Sequence, residues 1–259
     1  MRLGAIIGLL SSQPQPTDLA EQAKRYAEEG FDSLWVAQAV GRGFMLPDPF
    51  TALASAATAT REVELGTAVL QLPLYQPTEL AHRVFSLMQI CGDRLTLGLG
   101  AGSTETDFIA FERSYADRFK TFDTSLAQLK RLLAEGKNEY CDLTPWKTLR
   151  GGPPLIFGSW GAGVERAAKD FDGWVASAFY RTADQVIDSL GRYRAAGGRR
   201  AMVSTIQLTA DHDLGQTRAI LQRFAQAGFD DAIVLLRPGG PSPAEVRALV
   251  DQERDQERD

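Results

Sequence analysis

Short apolar runs alternate with longer amphipathic segments along almost the whole chain, and this alternation sets the expected fold. The first run, LGAIIGL at residues 3–9, reads as a strand. A turn rich in Ser, Gln and Pro follows over 11–18, then an amphipathic helix over 19–29 with Asp18 as its cap and Gly30 as its stop. The same unit recurs. Strands are expected at 33–37, 63–72, 94–100, 154–159, 173–178, 202–208 and 232–237. Helices are expected at 49–61, 78–90, 121–135, 164–171, 183–196, 214–227 and 243–250. Residues 136–154 show no period and read as a long connection, a kind of segment that often carries function.

Strict strand–helix alternation requires parallel strands joined by right-handed crossovers, and eight units of roughly 30 residues match a closed (β/α)8 TIM barrel. A single barrel domain is expected over residues 1–250, with the charged repeat DQERDQERD at 251–259 as a frayed helix end or a disordered tail. The competing doubly wound sheet needs a nucleotide fingerprint. GLGAGS (98–103) places Ser103 where the third glycine belongs, and GSWGAGV (158–164) has Val164 where a P-loop needs lysine, so both fingerprints fail.

Composition narrows the function classes. Hydrophobic residues make up 44% and charged residues 24% of the 259, which excludes disordered and fibrous chains. A net charge of −5 without a basic run argues against a nucleic-acid partner. No apolar stretch is long enough to span a membrane and only Arg2 precedes the first apolar run, so neither a span nor a signal peptide is expected and the cytoplasm is the default compartment. Cys91 and Cys141 stand apart without CxxC or His pairing, which gives neither a zinc site nor a disulfide framework.

In a barrel, chemistry belongs at the C-terminal ends of the strands. The segments to inspect are therefore 37–45, 68–75, 100–107, 158–163, 179–181, 209–213 and 237–240. They supply glycines, hydroxyls, amides, aromatics and a few arginines, with His212 as their one histidine and no carboxylate pair at acid/base spacing. His212 reads as part of a helix-capping turn, and His82 falls inside the helix at 78–90. No triad or metal cluster is visible. A mouth so poor in acids and bases points to a bound cofactor as the carrier of the chemistry. Gly158, Ser159, Trp160, Gly161, Ala162 and Gly163 follow a strand and open a helix, so their backbone N–H groups and the Ser159 hydroxyl are placed to meet an anion. The alternative for this segment is an ordinary glycine-rich turn.

Five blocks in order carry a family resemblance: GFDSLWVAQ (30–38), DPFTALASAATAT (48–60), VELGTAVLQLPLYQP (63–77), GDRLTLGLGAGSTETDFIAFE (92–112) and PPLIFGSWGAGVERAAKDFDGW (153–174). The chain resembles the bacterial luciferase-like family of flavin-dependent oxidoreductases, whose fold is this barrel. The resemblance implies FMN, or in some members an 8-hydroxy-5-deazaflavin coenzyme, across the mouth, with its phosphate at 158–163. It further implies a non-proline cis peptide between Ala68 and Val69 under the ring, flanked by Thr67, Gly100 and Ala101. Gln38, Tyr75, Tyr180, Arg181 and Arg237 are the candidate substrate contacts. Where many members carry Glu-His or His-His, this chain has Gln38-Ala39-Val40, and Ala101 replaces a phosphate-binding arginine. The activity expected is a two-component monooxygenase, fed with reduced FMN by a separate flavin reductase and acting on a small organic substrate as a homo-oligomer. Deazaflavin-dependent hydride transfer and a non-catalytic flavin-binding relative are the alternatives.

Overall fold

The structure is a computed structural model that describes residues 1–9, 15–211 and 213–256. Parallel strands β1 (Arg2–Ile6), β2 (Ser33–Val36), β3 (Glu64–Thr67), β4 (Leu70–Gln71), β5 (Leu95–Gly100), β6 (Leu155–Gly158), β7 (Gly173–Ser177), β8 (Arg200–Leu208) and β9 (Asp231–Leu236) hydrogen-bond in the order β3-β2-β1-β9-β8-β7-β6-β5-β4. Pairing of β3 with β5 closes the ring. Because β3 and β4 are two halves of one interrupted strand, the barrel has the eight staves that the alternation predicts. The ring of helices comprises α1 (Asp18–Glu28), α2 (Pro49–Ala59), α3 (Pro77–Cys91), α4 (Glu105–Ala110), α5 (Arg118–Glu135), α6 (Gly163–Asp170), α7 (Ala183–Ala195), α8 (Leu214–Ala227) and α9 (Pro243–Gln256).

Side chains on the strands alternate between two apolar surfaces, as a sheet buried on both faces demands. Outward residues such as Leu34, Leu65, Leu97, Leu99, Trp174 and Val234 pack on the helices. Inward residues Ile6, Trp35, Ile156, Val175, Met202, Ile233 and Leu235 form a separate cluster in the lumen. Trp35 dominates that lumen. A Cβ added at Gly66 would lie 2.2 Å from its Cζ3, and one at Gly4 would lie 3.0 Å from its Nε1. The two glycines therefore make room for the indole, whose N–H donates to Ser33 Oγ at 2.8 Å.

The lower end of the lumen is closed by charge. Arg200, at the start of β8, reaches across to Glu64 at the start of β3 with bonds of 2.8 and 2.9 Å, and grips Asp231 of β9 with another pair of 2.8 and 2.9 Å. Arg2 adds ion pairs to both carboxylates, and Thr96 Oγ1 donates to Glu64 at 2.5 Å. Bonds from Arg200, Thr96 and Arg2 outweigh the upward push of burial and hold Glu64 below the ordinary carboxylate range.

Several boundaries differ from those expected. The first strand ends at Ile6, and α1 begins at Asp18 itself, which puts Thr17 at the cap position while the Asp18 carboxylate accepts from Gln15 N at 2.7 Å. Gly30 follows the helix with φ +83°, the left-handed stop expected of it. The segment between β5 and α5 contains α4, and α5 starts at Arg118 instead of residue 121. The long connection holds a bridge between Lys137 and Asp142 and a 3-10 turn at Lys147–Leu149. Helix α9 continues into the charged repeat as far as Gln256. Part of the turn expected over 11–18, the end of the tail and His212 lie outside the described residues.

Candidate functional site at the barrel mouth

The peptide between Ala68 and Val69 is cis, as the family resemblance implies, and it separates β3 from β4. Beyond it the Val69 side chain enters a strip of glycines on the neighbouring strands. An added Cβ would stand 2.9 Å from a Val69 methyl at Gly100 and again at Gly158, and 3.2 Å from one at Gly98. Gly98 also allows the Thr67 carbonyl to approach, since its Cβ would lie 2.0 Å from that oxygen. Thr67 Oγ1 donates to Gly98 O at 2.8 Å and accepts from Gly98 N at 2.9 Å, so β3 and β5 are pinned by a side chain where the regular ladder stops. Thr67, Ala68, Val69, Gly100 and Gly158 thus come together as a floor of small residues without charge, with buried Ala101 beside it.

One wall of the mouth is a network of amides around a buried acid. Gln38 Nε2 donates to the Tyr75 hydroxyl and Gln38 Oε1 accepts from Gln71 N, both at 2.8 Å. Burial raises the Tyr75 phenol above its ordinary range, which keeps it protonated. Gln71 Nε2 donates to Asp107 Oδ2 at 2.5 Å. Asp107 Oδ1 accepts from Arg42 Nε at 2.8 Å and from Val40 N at 3.2 Å, and Arg42 Nη2 bonds Oδ2 to complete a bidentate pair. Burial pushes Asp107 upward, but the bonds from Arg42 and Gln71 prevail and keep it ionised, below the ordinary carboxylate range. Among the described residues Gln71 Oε1 is buried without a partner, at a cost of about 1–3 kcal/mol.

The opposite wall is the turn that opens α6. Gly163 N and Val164 N close it onto Trp160 O at 3.1 Å and Gly161 O at 3.2 Å, and Ser159 Oγ donates to Gly163 O at 2.8 Å. Gly161 has φ +60° and open space where a Cβ would stand. Arg181, from the loop after β7, stacks over the Trp160 ring with its Cζ 3.8 Å from the centroid. Arg181, Trp160 and Gly161 border a cleft of about 290 Å³ with Gln185, Asp188 and Arg192. Tyr180 is 80% exposed and packs edge-on against Phe179. Arg237 donates to Gln207 Oε1 at 3.3 Å, so it is tied to β8. His82 lies exposed on α3. A larger cleft of about 470 Å³, bordered by Met88, Asp93, Trp146 and Pro154, opens beside Leu95 at the start of β5, the end of the barrel opposite the mouth.

Residues 4–235 match the luciferase-like monooxygenase family. The chain belongs to this family. A similar relative is 4-hydroxyprotoasukamycin monooxygenase of Streptomyces nodosus subsp. asukaensis, 34% identical over 50% of this chain and 34% of its own length. A putative coenzyme F420-dependent oxidoreductase of Mycobacterium tuberculosis is 34% identical over 46% of this chain and 31% of its own. The matched segments thus span about a third of the length of these two relatives. The crystal structure of a monooxygenase from Streptomyces bottropensis superposes with a TM-score of 0.77 over 100% of both chains at 20% identity, which bears on the fold. Sequence reading missed Arg42, Gln71 and Asp107. All three fell within inspected segments, but nothing local pairs Asp107 with Arg42, which is 65 positions away.

Proposed function

We propose that the protein is a flavin-dependent monooxygenase that receives reduced FMN from a separate flavin reductase and oxygenates a small organic substrate. The observation that carries this reading is the wall built on Gln38: among the described residues, its buried carboxylate is committed to Arg42, and the groups around it are amide, hydroxyl and peptide groups. Such a wall orients a ligand and excludes water but exchanges no proton near neutral pH. When bound, reduced flavin supplies the electrons that activate oxygen. The residues present fit that group. Val69 and the glycines around it give an uncharged floor for a flat ring. Among the described residues, the Gly161 and Ala162 N–H groups make no bond within the turn and would hold the phosphate, with Ser159 Oγ able to turn from Gly163 O toward it. Gln38 and Tyr75 would hold a polar group of the substrate through hydrogen bonds.

Deazaflavin-dependent hydride transfer is the second reading, supported by the similarity to the F420-dependent oxidoreductase. One experiment separates the two: anaerobic titration of the protein with reduced FMN and with the 8-hydroxy-5-deazaflavin coenzyme, followed by admission of oxygen. Saturable binding of reduced FMN, with oxygen reacting at a rate different from that of free reduced FMN, is expected. Binding of the deazaflavin alone would replace the first reading with the second, and binding of neither would reject both.

A further inference from the structure

Two carboxylates among the described residues are completely buried. Asp231 belongs to the charged closure at the bottom of the barrel, whereas Asp107 sits at the mouth on the six-residue helix α4. Next to it Phe108 is buried, whereas Ile109 and Ala110 are exposed. What Asp107 does is join segments distant in sequence. Its oxygens take the Val40 N–H, the Arg42 guanidinium and the Gln71 amide. Gln71 passes the constraint to Gln38 through its backbone N–H, and Gln38 passes it to Tyr75. Arg42 lies between Gly41 at φ +77° and Gly43 at φ +80°, so the loop that carries it has left-handed backbone on both sides and its Asp107 contact as the anchor. Among the described residues Gln71 Oε1 has no partner in this arrangement, and an unsatisfied buried atom at a mouth marks a constraint other than stability.

We propose that Asp107 is a positioning residue: through Arg42, Val40 N–H and Gln71 it fixes Gln38 and Tyr75 at the mouth and so sets how the substrate is held over the coenzyme. The substrate part rests on the flavin reading above. The positional part does not, and the test treats them separately. Asp107→Asn and the double variant Arg42→Gln/Asp107→Asn are compared with the wild type by thermal melting, amide hydrogen exchange without coenzyme, and titration with FMN followed by its visible spectrum. In Asp107→Asn, exchange at the Val40 and Gln71 amides should rise by about tenfold or more while residues 158–163 keep their protection. Affinity for FMN should stay within about threefold, since the phosphate turn is untouched, but the bound FMN spectrum should change.

The double variant removes both charges together, leaves no guanidinium without its carboxylate, and should recover most of the lost melting temperature. Its exchange and spectrum should stay altered. If they return to wild type along with the melting temperature, or if Asp107→Asn leaves the Gln71 amide protected, Asp107 is only a structural partner of Arg42 and the proposal fails. Should the single variant not fold, the double variant carries the same readouts. If the wild type binds no FMN, the flavin reading falls, while the exchange data still decide the positional role.

Discussion

Glycines in this chain do two opposite jobs, and substitution tells them apart. At Gly161 an added side chain would meet nothing, yet φ is +60°, so leucine there would strain the backbone by about 1–2 kcal/mol and project over the turn that we assign to the phosphate. Gly161→Leu is expected to fold with a modest loss of stability and to weaken FMN binding about tenfold or more, read by equilibrium titration. An affinity within twofold of wild type would remove the turn from the site. At Gly66 the space is already taken by Trp35. Gly66→Ala should lower stability by about 1–3 kcal/mol in urea denaturation, because the overpacked lumen has to shift its indole.

Which elements form was legible wherever a pattern stays local. The alternation of strand and helix and the Gly30 stop follow from residues a few positions apart, whereas the cap expected at Asp18 falls one residue earlier, on Thr17. Thr182 and Asp213 each close a capping box with the glutamine three residues on, and Asp213→Ala should cost about 1 kcal/mol in chemical denaturation. The cis bond was legible only through the family resemblance, since no propensity marks Ala68-Val69. Helix α4 was not legible. Six residues are too few to show a period, and it is held by the contact of Asp107 with an arginine on another loop. Gln38 and Tyr75 were both recognised as mouth residues, but the bond between them spans 37 positions and became visible only when the barrel brought the segments after β2 and β4 to the same mouth.

Taken as a whole, the barrel is charged and closed at one end and uncharged at the mouth floor at the other, and the two ends should answer differently to pH. Glu64 titrates lower in the folded chain than in the unfolded one, so its stabilisation is complete above the ordinary carboxylate range and drains away as pH falls through the folded value. Glu64→Gln leaves Arg200 and Arg2 short of a partner and should destabilise by about 3 kcal/mol near pH 7. The gap between variant and wild type should narrow in denaturation series carried below about pH 4. A gap that stays constant across that range would show that the closure acts through packing and not through charge.

The same closure has a kinetic side. Glu64 and Arg200 are 136 positions apart, so their bonds cannot form until the first and last thirds of the barrel have met. Contacts of such long sequence separation are entropically costly to close early and belong after the folding transition state. Replacing Glu64 should therefore leave the refolding rate nearly unchanged and appear almost entirely as faster unfolding, with the unfolding limb of a chevron plot raised and the folding limb superimposed on that of the wild type. On this view the salt-bridged end acts as a clasp that sets how long the closed barrel lasts, with little influence on how quickly it forms.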